Sequence, residues 1–246
     1  MLWNFDELKG FRLHATDGDL GHVHDVLFED DSWHVRYLVV DTGWIFGRRV
    51  LIGPQALGEP DGSTRTIPVR LTQEQVKQSP SIDTDKPVGR QQEDAIYRYY
   101  GWTPYWTAGG AVGLPGDPML DVVGGAVDPA SLGQPEGDPH LRSAREVSGY
   151  TVQAGRRDIG RASTLLLDTA VWQVRWLVAD VGSAITSRLV LVAPEWVRGL
   201  DWPEARIHVA ADADKIANAP AYDPTRSLGR EQERAVYEWH GQRPYW

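Results

Sequence analysis

The chain has 246 residues, of which 25 are Lys or Arg and 34 Asp or Glu, giving a net charge of −9 and a pI near 5.2. That balance argues against general nucleic-acid binding, which needs a basic face to neutralise phosphates. The absence of cysteine excludes disulfides, thiolate zinc sites, iron–sulfur clusters and cysteine nucleophiles. No apolar run approaches the roughly 20 residues that span a bilayer. The segment Met1 to Gly10 lacks the basic stretch, apolar stretch and small-residue cleavage site of a signal peptide. A cytoplasmic location without a transmembrane segment is therefore expected.

In chain order, Phe11, Leu13 and Ala15 alternate with Arg12 and His14, the two-residue period of a strand with one wet face. Asp17-Gly18-Asp19 is a hairpin signal, followed by a strand over His22–Phe28 and a turn at Asp30-Asp31-Ser32. Trp33–Asp41 is the strongest strand pattern, β-branched and aromatic along most of its length. Val50–Ile52 and Thr66–Leu71 follow, so about five short strands lie within about 65 residues and predict a small barrel or sandwich. Helices are expected only afterwards. Thr72 and Gln75 fit a capping box, and Gly89 to Tyr100 carries helix formers up to a stop at Gly101 and Pro104.

The pattern then repeats. Gly10-Phe11-Arg12-Leu13 aligns with Gly149-Tyr150-Thr151-Val152, Gly21 with Gly160, and Trp33–Asp41 with Trp172–Asp180, all at an offset of 139. After one inserted residue, Val50–Pro54 aligns with Val190–Pro194, Gly89–Glu93 with Gly229–Glu233, and Tyr105-Trp106 with Tyr245-Trp246. A register shared over so much of the chain makes this two copies of one domain, residues 1–106 and 140–246. Residues 107–139 between them are rich in Gly, Pro, Ala and Asp, contain no Lys or Arg, and read as a linker. The first copy has a formal charge of −5, the linker −5 and the second copy +1. This asymmetry would steer the two copies onto each other more than hold them there.

Leu141-Arg142-Ser143-Ala144-Arg145-Glu146-Val147-Ser148-Gly149-Tyr150, the turns at Gly21 and Gly160, and Arg-Tyr-Leu-Val-Val-Asp-Thr-Gly at 36–43 resemble the PRC-barrel family, as does the closing Tyr-Tyr-Gly-Trp-Thr-Pro-Tyr-Trp at 99–106. The resemblance covers both copies and leaves out the linker. It implies a mainly β protein of two tandem small barrels, each followed by a short C-terminal helix and an aromatic tail. It also implies a binding or assembly module, because the photosynthetic reaction-centre H subunit and a ribosome-maturation factor use this barrel to dock on other macromolecules. It supplies no catalytic, cofactor or metal residues.

The residues themselves make a thin enzyme case. No Gly-x-Ser-x-Gly elbow, P-loop or dinucleotide fingerprint occurs. Asp41 and Asp180, at equivalent strand ends, fit carboxylates that accept from turn amides better than a catalytic pair. His22 and His24 have a spacing that can place two imidazoles on one metal. Their counterparts Arg161 and Ser163 and the lack of a visible third ligand favour solvated strand histidines. The aromatic tails at 102–106 and 242–246 are expected to fold back and seal each barrel.

Two features point to partner contact. Trp44, Ile45 and Phe46 sit between Gly43 and Gly47 at a hairpin tip, where small polar residues are usual, with Arg48 and Arg49 beside them. Arg142, Arg145, Arg156, Arg157 and Arg161 concentrate positive charge at the start of the second copy and could meet an acidic surface such as Asp30-Asp31. The leading expectation is a non-enzymatic interaction module, with homo-oligomerisation open. The alternatives are a small-molecule sensor with a cleft between the copies, or, by family analogy alone, an auxiliary factor in reaction-centre or ribosome assembly.

Overall fold

The computed structural model describes residues 1–43, 48–80, 88–106, 140–182 and 186–246. The first copy runs β1 (Leu2–Asn4), α1 (Phe5–Leu8), β2 (Arg12–Ala15), β3 (Gly18–Glu29), β4 (Val35–Asp41), β5 (Arg49–Ile52), β6 (Thr66–Pro68), α2 (Gln73–Gln78) and α3 (Arg90–Tyr100). The second runs β7 (Leu141–Ser143), α4 (Ala144–Val147), β8 (Thr151–Ala154), β9 (Arg157–Asp168), β10 (Gln173–Asp180), β11 (Leu189–Val192), β12 (Val197–Asp201), β13 (Arg206–Val209), α5 (Ala213–Ala217) and α6 (Arg230–His240). The protein is mainly β, in two mixed sheets ordered β5-β4-β3-β2-β6 and β11-β10-β9-β8-β13-β12. In each, the first hairpin strand lies parallel to a late strand, β2 beside β6 and β8 beside β13. Among the described residues no helix is long and apolar enough to cross a membrane.

Helices are not confined to the end of each copy, as the sequence pattern had implied. Each copy opens with a short strand and a single helical turn, capped by Asn4 in one and Ser143 in the other. These arms are exchanged. β1 pairs with β9 of the second sheet, Leu2 opposite Asp168 and Asn4 opposite Leu166. β7 pairs with β3 of the first sheet, Leu141 opposite Glu29 and Ser143 opposite Leu27. The two registers are identical after the 139-residue offset, so the halves are related by an internal pseudo-twofold. Its axis passes through the bridge between the equivalent residues His34 and Gln173. Flanking it, the Val35 N–H donates to Trp172 O at 2.8 Å and the Val174 N–H to Trp33 O at 2.9 Å. One continuous apolar core consequently contains Phe5, Leu8 and Phe28 together with Val147, Leu167 and Trp176.

Burial explains why β4 lacks polar alternation. Leu38 and Val40 face that main core, while Tyr37 and Val39 face a second cluster with Leu51, Ile96 and Tyr97. The aromatic tail covers this second face. Trp102, Tyr105 and Trp106 each pack on Tyr97 with ring centroids 5.9, 6.0 and 5.1 Å away. The second tail does the same, with Tyr245 and Trp246 against Tyr237. Both long helices stop at a left-handed glycine, Gly101 at φ 67° and Gly241 at φ 68°, which a side chain would strain. The capping box at Thr72 forms as the spacing predicts, the Gln75 N–H donating to Thr72 Oγ1 at 3.2 Å and the Thr72 N–H to Gln75 Oε1 at 2.9 Å.

Candidate functional site

The hairpin between β4 and β5 has a clamped base. Asp41 lies opposite Arg49, and Thr42 donates its N–H and its hydroxyl to Arg48 O at 3.1 and 2.5 Å. The Asp41 carboxylate accepts from the Gly43 N–H at 2.9 Å. The Arg48 guanidinium reaches across to the end of α2, donating to Val76 O and Ser79 O at 3.0 Å each and to Lys77 O. These carbonyls close the helix, Val76 O also accepting from the Ser79 hydroxyl at 2.8 Å, so a cation at this position adds donors to them and meets the negative end of the helix. Arg188 repeats the arrangement on Ala217 O and Ala219 O at 3.2 and 2.7 Å. Arg48 is therefore engaged within the chain, and Trp44, Ile45 and Phe46 lie outside the described residues.

Asp180 confirms the turn-amide reading of the strand-end carboxylates. It accepts from Ser187 Oγ at 2.6 Å and from the Arg188 and Gly182 N–H groups at 2.9 Å each. The Ser187 hydrogen bond, followed by the two amides, holds its carboxyl below the usual carboxylate range.

The arginines of the second copy mostly end on groups of the chain itself. Arg142, only 8% exposed, donates Nε and Nη2 to Asp30 Oδ2 at 2.7 and 2.6 Å. Arg145 meets His24 Nε2 at 2.9 Å, and its backbone N–H donates to Asp25 at 3.1 Å. Arg157 pairs with Asp214 at 2.8 Å and Arg161 donates to Gly149 O at 3.3 Å, while Arg156 is exposed. Arg49 is half-buried beside Asp41. The acidic surface suggested by sequence thus receives Arg142 at Asp30. His24, contacted by Arg145, is pushed below the usual histidine value by burial and then by Arg49 and Arg145.

Asp25 is buried at the same junction. It accepts from Ser143 Oγ at 2.5 Å and the Val26 N–H at 2.7 Å, and burial outweighs these bonds to raise its carboxyl above the usual range. A third carboxylate, Glu93, has no exposed side-chain surface and accepts from the hydroxyls of Tyr37 and Tyr105 at 3.1 and 2.9 Å. His140 Nε2 lies 2.8 Å from its other oxygen. In the second copy, Glu233 accepts from Trp176 Nε1 at 2.9 Å and Tyr245 at 3.0 Å. Burial, then Glu233, pushes the Tyr245 phenol up to about 12, so it stays a donor across the ordinary pH range. Glu93 and Glu233 thus anchor the tails through Tyr105 and Tyr245.

Between the copies lies a cleft of about 610 Å³ lined in part by Asp31, His140, Arg142, Arg175, Glu195 and Arg198. Both signs of charge face it. Across the pseudo-twofold the counterparts of Arg142 and Arg198 are Trp3 and Gly58, so the polar cleft belongs to one side of the molecule.

Residue-by-residue alignment begun at Gly10 misses the arms. The signal that could have found them is the same offset carried back: Leu2, Asn4, Glu7 and Leu8 match Leu141, Ser143, Glu146 and Val147. No family model and no curated protein matches the chain.

Proposed function

We propose that this chain is a non-enzymatic, cytoplasmic interaction or assembly module of the PRC-barrel type, each half a small barrel. Its docking element is the apolar segment Trp44-Ile45-Phe46. The observation that supports this reading most is the clamp formed by the residues on either side of that segment in sequence: strand pairing at Asp41 and Arg49, two bonds from Thr42, and Arg48 tied to α2. Rigid attachment lets an apolar segment meet a partner without first losing the entropy of ordering its ends. Three large apolar residues in such a place fit a contact surface better than a solvated turn. The parallel β2–β6 and β8–β13 pairs, each bringing an early strand beside a late one, support the barrel reading.

Light scattering after size exclusion, on wild type and on Trp44→Ser/Phe46→Ser, tests the proposal. Oligomers that become folded monomers, or monomers with an unchanged melting temperature that lose a captured partner, support it. A monomer that melts markedly lower after substitution places the segment in the core and ends it. The inter-copy cleft favours a second reading, a small-molecule sensor, for which a ligand-induced rise in melting temperature is the discriminator.

A further inference from the structure

The exchanged arms occupy equivalent seats that have diverged in chemistry. Arm two, at 140–147, lies along the last residues of β3, where it meets carboxylates: Arg142 on Asp30 and Ser143 on Asp25, with His140 on Glu93 alongside. Arm one, at 2–8, lies along the equivalent residues of β9, where Thr164 and Thr169 replace Asp25 and Asp30 and the Met1 ammonium lies 3.7 Å from Asp168. There Asn4 accepts from Thr164 Oγ1 at 2.7 Å. Trp3, which replaces Arg142, sets its ring edge-on to Phe11 at 5.4 Å, and a Cβ on Gly62 would come within 2.8 Å of that ring. The counterpart of Gly62 is Trp202, whose Nε1 donates to Glu146 at 2.6 Å. Arm one placed in the other seat would set Trp3 against Trp202 and leave Asp30 without its guanidinium. Arm two placed on β9 would bring Arg142 to Thr169, which carries no charge.

We infer that the two seats are keyed strand-addition sites. Each accepts an extended segment by β-pairing at three residues and reads its second and third side chains. The seat with Asp25 and Asp30 takes Leu-Arg-Ser, the seat with Thr164 and Thr169 Leu-Trp-Asn. A seat emptied of its own arm takes the matching arm from a second copy of this chain. The inference does not rest on the function proposed above.

The test empties the threonine seat by deleting residues 1–9 and titrates the shortened chain with synthetic peptides of residues 1–10 and 139–149. Peptide 1–10 should bind tighter by about tenfold, the worth of one good charge-assisted or packed contact. Thr164→Asp/Thr169→Asp in the shortened chain should reverse the preference. Binding of neither peptide overturns the seat, and equal binding of both overturns the keying. Should the shortened chain not fold, the full chain decides through melting temperatures of wild type, Trp3→Arg, Thr169→Asp and the combination. A combination more stable than the sum of its parts supports the key, and strict additivity overturns it.

Discussion

Gly21 and Gly160 occupy equivalent places, and the reason is close approach. Gly21 has φ 140°, and a Cβ there would lie 2.1 Å from Asp41 O; at Gly160 the corresponding distance is 2.0 Å, to Asp180 O. The obstacle is backbone of the neighbouring strand, so it cannot swing aside. Gly21→Ala should cost roughly 3 kcal/mol or more, read as a shift in the urea midpoint. At Gly10, where the same added atom meets nothing within 4 Å, only the conformational penalty applies.

Asp25 sets a pH dependence of definite sign. Its folded-state carboxyl is raised by burial, so the fold binds that proton more tightly than the unfolded chain does. The group's stabilising contribution is full below the ordinary carboxylate range and is lost as pH rises through the raised value. Asp25→Asn should raise stability at neutral pH and remove that slope from denaturation curves taken between about pH 4 and 7. His34 and His240, both lowered chiefly by burial, slope the other way: their contribution is present above the ordinary histidine value and lost as pH falls.

Among the elements, α2 illustrates a helix too short to hold itself. Six residues give little internal bonding, and its end is secured by the guanidinium of Arg48, just ahead of β5 and 28 to 31 positions away in sequence. Arg48→Ala should cost about 1–3 kcal/mol, the worth of hydrogen bonds to a charged donor. Amide hydrogen exchange should quicken first at 76–79. Equal acceleration across β3 and β4 would contradict a local capping role. The long helices need no such help, since a capping glutamine and a left-handed glycine bound each one.

At the scale of the whole molecule, the exchanged arms and common core join two repeats into one folding unit. Each half lacks a sheet neighbour that the other supplies, so neither buries its edge alone. Calorimetry should give one transition whose measured and van't Hoff enthalpies agree, and two resolved transitions would refute the coupling. The linker has a different status. Tyr105 Oη lies 3.0 Å from His140 Nε2, so the chain leaves the first copy and enters the second at nearly the same place. Replacing 107–139 by roughly eight Gly/Ser residues, which reach roughly 25 Å, should leave the melting temperature within a few degrees.

Much of this was legible in order along the chain. Alternation at Leu13 and Ala15, the Thr72 box and the stops at Gly101 and Gly241 depend on residues close in sequence, and each forms as the pattern predicts. The internal offset alone established the repeat. What it could not establish is which copy an arm belongs to in space: Leu2-Trp3-Asn4 pairs equally well, by backbone, with either half. That choice rests on side chains more than a hundred positions apart, Arg142 with Asp30 and Ser143 with Asp25, and on the burial of Phe5 and Leu8 in a shared core. The same holds for Arg48, which reads as a free charge beside a hairpin until folding brings three carbonyls at the end of α2 within its reach. Local hydrogen bonding and periodicity are written in sequence, whereas long-range pairing is decided where desolvation and charge meet in the folded chain.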